Sequence, residues 1–293
     1  MIGSNHYNHN HHQDNQSDDP DIRTEFNKKY GKLIFVNNTL PGLLFNHLQR
    51  LLTEFFPYGN YQLFSMHLDN IRTISRLENQ RHVFHDRVHA GEILAGMLAE
   101  YRDSDALVLA IPAGGVPVAA VIAGQLGLQL DVLPVSKILY PWTTESGFGA
   151  IAYDGTQWIN DAAVQHYNLD ADAVRQATRV AQDKVERRIR NLRGNRPFPE
   201  LTGRTVILVD DGIAAGSTVR AAILTLRKQH TGMIIIATPT AHDTSLDEIA
   251  TLVDLVYCAN LRQGWSFAVA EAYRNWSDVS EKEVMEILHV NNT

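Results

Sequence analysis

The chain has 293 residues, 44% of them hydrophobic, a net charge of −7 and one cysteine, Cys258. That length allows one large or two small domains with a packed core, while the acidic balance argues against a general nucleic-acid or membrane-surface binder. The lone cysteine excludes an internal disulfide framework or a cysteine-rich zinc site, and with no membrane-length apolar run and no evident signal peptide the expected compartment is the cytoplasm.

Residues 1–25 are polar, low in complexity and rich in histidine (His6, His9, His11, His12); they lack the apolar residues to fold and read as a disordered tail. Residues 26–80 form an extension of unassigned role. It carries the amphipathic stretch "LPGLLFNHLQRLLTEFFPYG", ended by Pro57 and Gly59, and Met66 is an alternative start within it. From residue 81 to 293 the pattern becomes regular. Residues 89–102 predict a helix with Ile93, Leu94, Met97 and Leu98 on one face, and residues 106–111 a buried strand. Residues 112–127 predict a glycine loop and a helix, and residues 128–137 one strand. Residues 138–160 predict a long loop merging into a hairpin that turns at Asp154-Gly155. A long charged helix follows over 170–194. Strands are expected over 205–209, 233–239 and 254–260, with helices over 219–228 and 245–253 between them. A last helix opens at Ser280, where Glu283 three residues on makes a capping box. Strands alternating with helices imply an α/β fold with a mostly parallel sheet flanked by helices.

The most informative stretch is "VILVDDGIAAGST", residues 206–218. Its β-branched run reads as a strand covered on both faces, with Asp210 and Asp211 at the carboxyl end. Gly212 and Gly216 frame a tight loop, and Ser217 and Thr218 are placed to cap the next helix, whose apolar residues are Ala222, Ile223 and Leu226. Open α/β sheets bind ligands at the carboxyl ends of their strands, and the first amides of a helix favour an anion. The loop from Ile213 to Thr218 therefore offers a phosphate pocket. The two aspartates offer acceptors for hydroxyls or for a hydrated cation. A ribose 5-phosphate has both halves of that chemistry.

A second strand, glycine loop and helix start recurs at "IPAGGVPVAA", where Gly114 and Gly115 let a ligand approach the backbone. Two such loops suggest a ligand with anions at both ends. Lys137, expected at the end of the next strand, can neutralise phosphate, and the "LYPWTTESGFGA" loop has the length of a lid. The cluster Lys184, Arg187, Arg188, Arg190, Arg193 and Arg196 is the one candidate basic face, and the solvated side of a helix accounts for it more simply.

With these residues assembled, the chain resembles the type I phosphoribosyltransferases, and more narrowly a group of bacterial and archaeal predicted phosphoribosyltransferases of unassigned substrate. The resemblance covers about residues 81–290 and runs through "DRVHAGEILA", "IPAGGVPVAA", "SKILYPWTTESGFGAIA", "GRTVILVDDGIAAGSTVRAA" and "FAVAEAYRNWSDVSEKEV". It implies a core of that type with a small C-terminal hood. It also implies phosphoribosyl pyrophosphate and Mg2+ as ligands, and a nitrogen acceptor, a nucleobase being the expected one. Asp210 and Asp211 would hold the ribose hydroxyls and reach the metal indirectly, through substrate or water. Ile213, Ala214, Ala215, Gly216, Ser217 and Thr218 would cradle the 5'-phosphate. Ala113, Gly114 and Gly115 would meet the pyrophosphate, where the family often has a cis peptide. The chain departs from the pattern at Ala215, commonly threonine, and at Ala113, usually arginine in the close group.

The implied reaction is displacement at the anomeric carbon through an oxocarbenium-like transition state. Lys137 would stabilise the leaving group, Glu145 is the candidate base for the acceptor, and closure of residues 140–148 would exclude water. Trp265 or Phe267 could stack on a planar acceptor or simply pack the hood. A homodimer is the expected assembly. The competing reading is a non-catalytic regulator that binds the same donor, which Ala113 favours and the loop bearing Lys137 and Glu145 disfavours.

Overall fold

Four apolar residues in a row make sense in a strand only where a layer covers each face. Residues Val206–Val209 meet that condition: Val206 and Leu208 point into one core layer, Ile207 and Val209 into the other, and all four are buried. The neighbouring run alternates likewise, with Val108 and Ala110 on one side and Leu107, Leu109 and Ile111 on the other. Each large apolar side chain buried this way stabilises the fold by about 1.5–3 kcal/mol. The structure, a computed structural model, describes residues 69–194 and 196–291. The histidine-rich tail, the amphipathic stretch and Met66 lie outside the described residues.

In chain order the strands are β1 (Ile71–Thr73), β2 (Leu107–Ala110), β3 (Gln129–Val132), β4 (Val135–Leu139), β5 (Gly147–Ala152), β6 (Gln157–Ile159), β7 (Val206–Val209), β8 (Ile234–His242) and β9 (Leu255–Arg262). The helices are α1 (Arg87–Met97), α2 (Gly115–Leu126), α3 (Asp161–His166), α4 (Ala171–Arg193), α5 (Ser217–Lys228), α6 (Asp243–Ala250) and α7 (Glu281–Asn291). Six strands form one sheet in the order β1-β9-β8-β7-β2-β3, with every pairing parallel. Helix residues such as Leu94, Ile122 and Val284 fill the layer on one face; Ile223, Leu246 and Ile249 fill the other. The expected α/β fold with a mostly parallel sheet is therefore observed. β1 comes from within residues 26–80 and pairs with β9 at the sheet edge through Ile71, Arg72 and Thr73.

Residues 128–137 do not form one strand. Leu133 and Pro134 separate β3, which closes the main sheet, from β4, which joins β5 and β6 in a small antiparallel sheet. Proline has no N–H to give a ladder, so the chain leaves the first sheet there. Lys137 consequently lies within β4, not at the carboxyl end of a parallel strand. The hairpin turn falls at Asp154-Gly155 as expected, with Asp154 accepting from the Thr156 amide at 3.0 Å. α4 packs Ala181 and Val185 against Ile138, Phe148 and Ile151 of the small sheet. The capping box at α7 also forms: Ser280 donates to Glu283 at 2.7 Å and the Glu283 amide donates back at 3.2 Å.

Candidate functional site

β7 ends at the centre of the parallel sheet, and the loop after it is pinned from below. Ile213 is buried; its amide donates to Thr240 O at 2.9 Å and its carbonyl accepts from the His242 amide at 3.0 Å. That anchoring lets Ala214 and Ala215 stand exposed above the sheet. α5 then opens at Ser217, behind Gly216 at φ 73°. This corrects the expected capping. Gly216 holds the N-cap position in the left-handed region, and no side chain caps the helix. Ser217 and Thr218 belong to its first turn, so the first amides of α5 remain for a ligand. Thr218 instead sends its hydroxyl toward Asp210, at 3.4 Å.

The second loop abuts the first. The Pro112–Ala113 peptide is cis, at the position the resemblance points to. A Cβ on Gly114 would stand 1.9 Å from Asp211 Oδ2, and one on Gly115 would stand 2.6 Å from Val209 O. Only residues without side chains let the end of β2 and the start of α2 lie flat against the two aspartates. The loop offers no cationic side chain, Ala113 being turned partly into the core.

Asp211 is held from two directions. Arg87 Nε, from the first residue of α1, donates to its Oδ2 at 2.8 Å, and Arg87 Nη1 donates to Ser277 O at 2.8 Å. The guanidinium lies 3.9 Å from the centroid of the Trp276 ring. Tyr273 donates its hydroxyl to Asp211 O at 2.6 Å. Sequence reasoning did not single out Arg87, Tyr273 or Trp276. The available signal was an arginine directly after the N-cap residue Asp86, which accepts from the His89 amide at 3.0 Å.

Burial, and then the charge of Asp211, push the Asp210 carboxyl well above its ordinary value. Burial also raises Asp211, but Arg87 opposes the shift. A carboxylic acid raised on folding favours the folded state below its unfolded value, and that contribution is lost as pH rises through the folded value. Asp210→Asn is therefore expected to raise the melting temperature of the ligand-free protein near pH 7, with the gain shrinking toward pH 4. Calorimetric melts at several pH values check this; a variant less stable than wild type at pH 7 contradicts it.

The remaining predicted residues are not gathered into one cluster. Lys137 is exposed on β4, and its charge acts on Asp210. Glu145 is exposed at the tip of the β4–β5 hairpin, where its amide donates to Thr143 Oγ1 at 3.2 Å. Beside it Tyr140 and Trp142 stack with ring centroids 5.2 Å apart. Trp265 is fully exposed, whereas Phe267 packs between Arg262 and His242. The basic cluster does not form one open face. Arg193 is buried against Asp131 and the Phe198 ring, Arg187 pairs with Glu281 at 3.2 Å, and Arg196 bonds Leu192 O at 3.1 Å.

Two glycine loops and a carboxylate pair stand at the carboxyl ends of the adjacent parallel strands β7 and β2, the place where open α/β sheets bind ligands. Residues 85–272 match the phosphoribosyl transferase domain family, and the chain belongs to that family. It is 38% identical over 206 residues to two Mycobacterium tuberculosis proteins, from strains CDC 1551 and H37Rv, each named "putative phosphoribosyl transferase". The match covers 70% of this chain and 46% of each relative, so the chain spans about half their length. The solved structure of TT1426 from Thermus thermophilus is 30% identical, with a TM-score of 0.58 over 70% of this chain and 97% of that one. Among the described residues no helix is long and apolar enough to cross a membrane.

Proposed function

We propose that the chain is a phosphoribosyltransferase. It takes 5-phosphoribosyl 1-pyrophosphate with Mg2+ and transfers the phosphoribosyl group to a nitrogen acceptor, a nucleobase, releasing pyrophosphate. The observation that carries this reading is the contact between the two loops: Gly114 lies so close to Asp211 that one ligand can span both. The 5'-phosphate sits on the amides from Ile213 to Thr218, with the hydroxyls of Ser217 and Thr218 in reach. Asp210 and Asp211 accept from the ribose hydroxyls. The pyrophosphate runs toward Ala113, Gly114 and Gly115, and Lys137 approaches it from β4.

In the reaction the bond from the anomeric carbon to the pyrophosphate oxygen breaks, its electron pair leaving with pyrophosphate. A nitrogen lone pair forms the new bond from the opposite face, and the nitrogen gives up its proton. Asp210 and Asp211 favour the positive charge that grows on the sugar. Glu145, carried by the hairpin tip, takes the proton when residues 140–148 fold over the site, and the same movement excludes water. Two oxygen donors, with no group of three or more metal-binding side chains among the described residues, suit a cation that keeps substrate oxygens and water as its main ligands. Mg2+ bound there would neutralise charge on the departing pyrophosphate. A cytoplasmic homodimer is the setting we infer, consistent with the single buried cysteine.

Calorimetry of the donor, with and without Mg2+, tests this on wild type and on the Asp210→Asn/Asp211→Asn variant. Magnesium-dependent binding to wild type that the variant loses supports the donor site. Pyrophosphate release in a screen of nitrogen bases then separates an enzyme from a donor-binding regulator of the same fold. Absence of donor binding by folded wild type refutes the reading.

A further inference from the structure

The donor's pyrophosphate carries the larger share of its negative charge, yet the loop at Ala113–Gly115 provides only backbone. The helix packed beside that loop brings a cation. α1 and α2 touch closely: a Cβ on Gly91 would stand 2.8 Å from Val121 Cβ and 2.9 Å from Val118 O. Arg87 lies one turn before Gly91 on the same helix face, and helical side chains lean toward the N-terminus. Arg87 therefore projects past the start of α1, and its bond to Asp211 shows where it arrives. A first helical turn favours anions, so nothing local calls for a cation at this position.

Most of the guanidinium is committed. Nε donates to Asp211 Oδ2 at 2.8 Å, Nη1 donates to Ser277 O at 2.8 Å, and the plane lies 3.9 Å from the centroid of the Trp276 ring. Nη2 makes no hydrogen bond among the described residues and, unlike the buried Nη1 of Arg262, it is open to solvent. Nε and Nη2 share one edge of the guanidinium, the edge that takes two oxygens side by side through parallel N–H bonds. Only half of that fork is used. The other half points to the space beside Asp211 Oδ2, the same oxygen that lies 1.9 Å from the Cβ position of Gly114. Arg87 Nη2 and the pyrophosphate loop thus border one space, and the contacts to Asp211, Ser277 and Trp276 fix the direction in which Nη2 donates.

We propose that Arg87 binds the donor's pyrophosphate through Nη2, supplying from α1 the cation that the loop at Ala113 does not carry. The proposal rests on the donor reading above. Asp211 and an oxygen of the pyrophosphate then share the Nε–Nη2 edge, and the guanidinium charge offsets the repulsion between them. When the bond to the anomeric carbon breaks, its electron pair stays with pyrophosphate, and Nη2 stabilises that charge through a charge-assisted hydrogen bond. One side chain thereby couples the carboxylate at the sugar to the leaving group.

The test uses inorganic pyrophosphate with Mg2+, and ribose 5-phosphate, as separate probes in calorimetry. Because Arg87 also holds Asp211, the changes at position 87 are made both in wild type and in Asp211→Asn, where no carboxylate is left without its cation and the fold is spared that cost. Arg87→Gln is expected to weaken pyrophosphate about tenfold or more in both backgrounds, while ribose 5-phosphate stays within about twofold between Asp211→Asn and the double variant. Arg87→Lys keeps the charge without the fork and should lose less. Arg274→Gln, an equal change of charge at an exposed position in the adjoining segment, should leave both probes unchanged. A loss that vanishes in the Asp211→Asn background means that Arg87 acts only through Asp211, and it overturns the proposal. An equal loss in Arg274→Gln, a loss of ribose 5-phosphate in step with pyrophosphate in the double variant, or loss of pyrophosphate in Asp211→Asn alone overturns it as well. Each of these leaves the donor reading intact. A wild type that binds neither pyrophosphate nor the complete donor overturns both.

Discussion

Arg87→Ala is expected to lower the free energy of unfolding by about 3–5 kcal/mol, the range for removing one partner of a buried ion pair. The side chains of Arg87 and Asp211 are 10% and 14% exposed. Without the guanidinium, Asp211 keeps its desolvation and its repulsion from Asp210 and loses its cation. Two further interactions go with it: the donation to Ser277 O and the face of Trp276. A cation over an indole adds about 0.5–2 kcal/mol depending on its hydration. Arg87→Lys keeps the charge but cannot reach Asp211 and Ser277 with one planar fork, so its loss should be smaller and still measurable. Urea unfolding gives the values. The decisive measurement is the double variant with Asp211→Asn. If the cost comes from an orphaned carboxylate, the pair of changes costs clearly less than the sum of the single ones. Additive losses, or a cost below about 1 kcal/mol for Arg87→Ala, the level of an exposed pair, would mean that water already solvates Asp211.

The same contact shows which parts of the site can be read from a linear chain. The β7 loop was legible because every feature it needs is local: an apolar run, two carboxylates, then small residues. The glycines of the second loop were legible for the same reason. Arg87 was not, because its partner is 124 positions away and nothing near it in sequence says which anion it meets. The basic residues of α4 show the complementary error. Their spacing gives the helix correctly, but Arg193 turns in to Asp131 and Arg187 out to Glu281, and those carboxylates come from β3 and α7. Only the fold sorts neutralised cations from open ones. The strand break at Leu133-Pro134 was locally written, since the proline stands in the sequence; the alternating apolar residues on either side masked it. At α5, hydroxyl residues suggested a side-chain cap. Gly216 takes that position instead, and the left-handed turn leaves the amides of the first helical turn without a side-chain cap.

Gly114→Ala should weaken donor binding about a hundredfold or more without straining the backbone dihedrals of residue 114, which makes it a sharper probe of the site than changes at the aspartates. Gly114 has φ −60° and ψ −31°, ordinary helical values that alanine adopts freely. Whatever alanine does there is therefore a collision and not backbone strain. The new methyl carbon would lie 1.9 Å from Asp211 Oδ2, 2.4 Å from its Cγ and 2.8 Å from its Oδ1. All three distances are far inside van der Waals contact, so either the carboxylate swings off or the loop lifts. The carboxylate cannot swing without leaving Arg87 Nε, and the loop cannot lift without opening the space where the two halves of the donor meet. A displacement of about 1 Å at a positioning group is enough to cost about a hundredfold in rate, and overpacking costs about 1–3 kcal/mol of stability. The expected result is a folded protein, somewhat less stable, whose affinity for the donor and whose pyrophosphate release both fall about a hundredfold or more. Gly216→Ala is the instructive contrast. There φ is 73°, and an added Cβ also meets Ile249 Cδ1 at 2.7 Å, so the loss should fall first on stability and on the 5'-phosphate end. Ribose 5-phosphate and pyrophosphate as separate ligands distinguish the two variants. Gly114→Ala should spare the 5'-phosphate loop and weaken pyrophosphate, and Gly216→Ala should do the reverse. An alanine at position 114 that leaves both affinities near wild type would mean that the two loops do not share a ligand, and the donor reading of the site would fail with it.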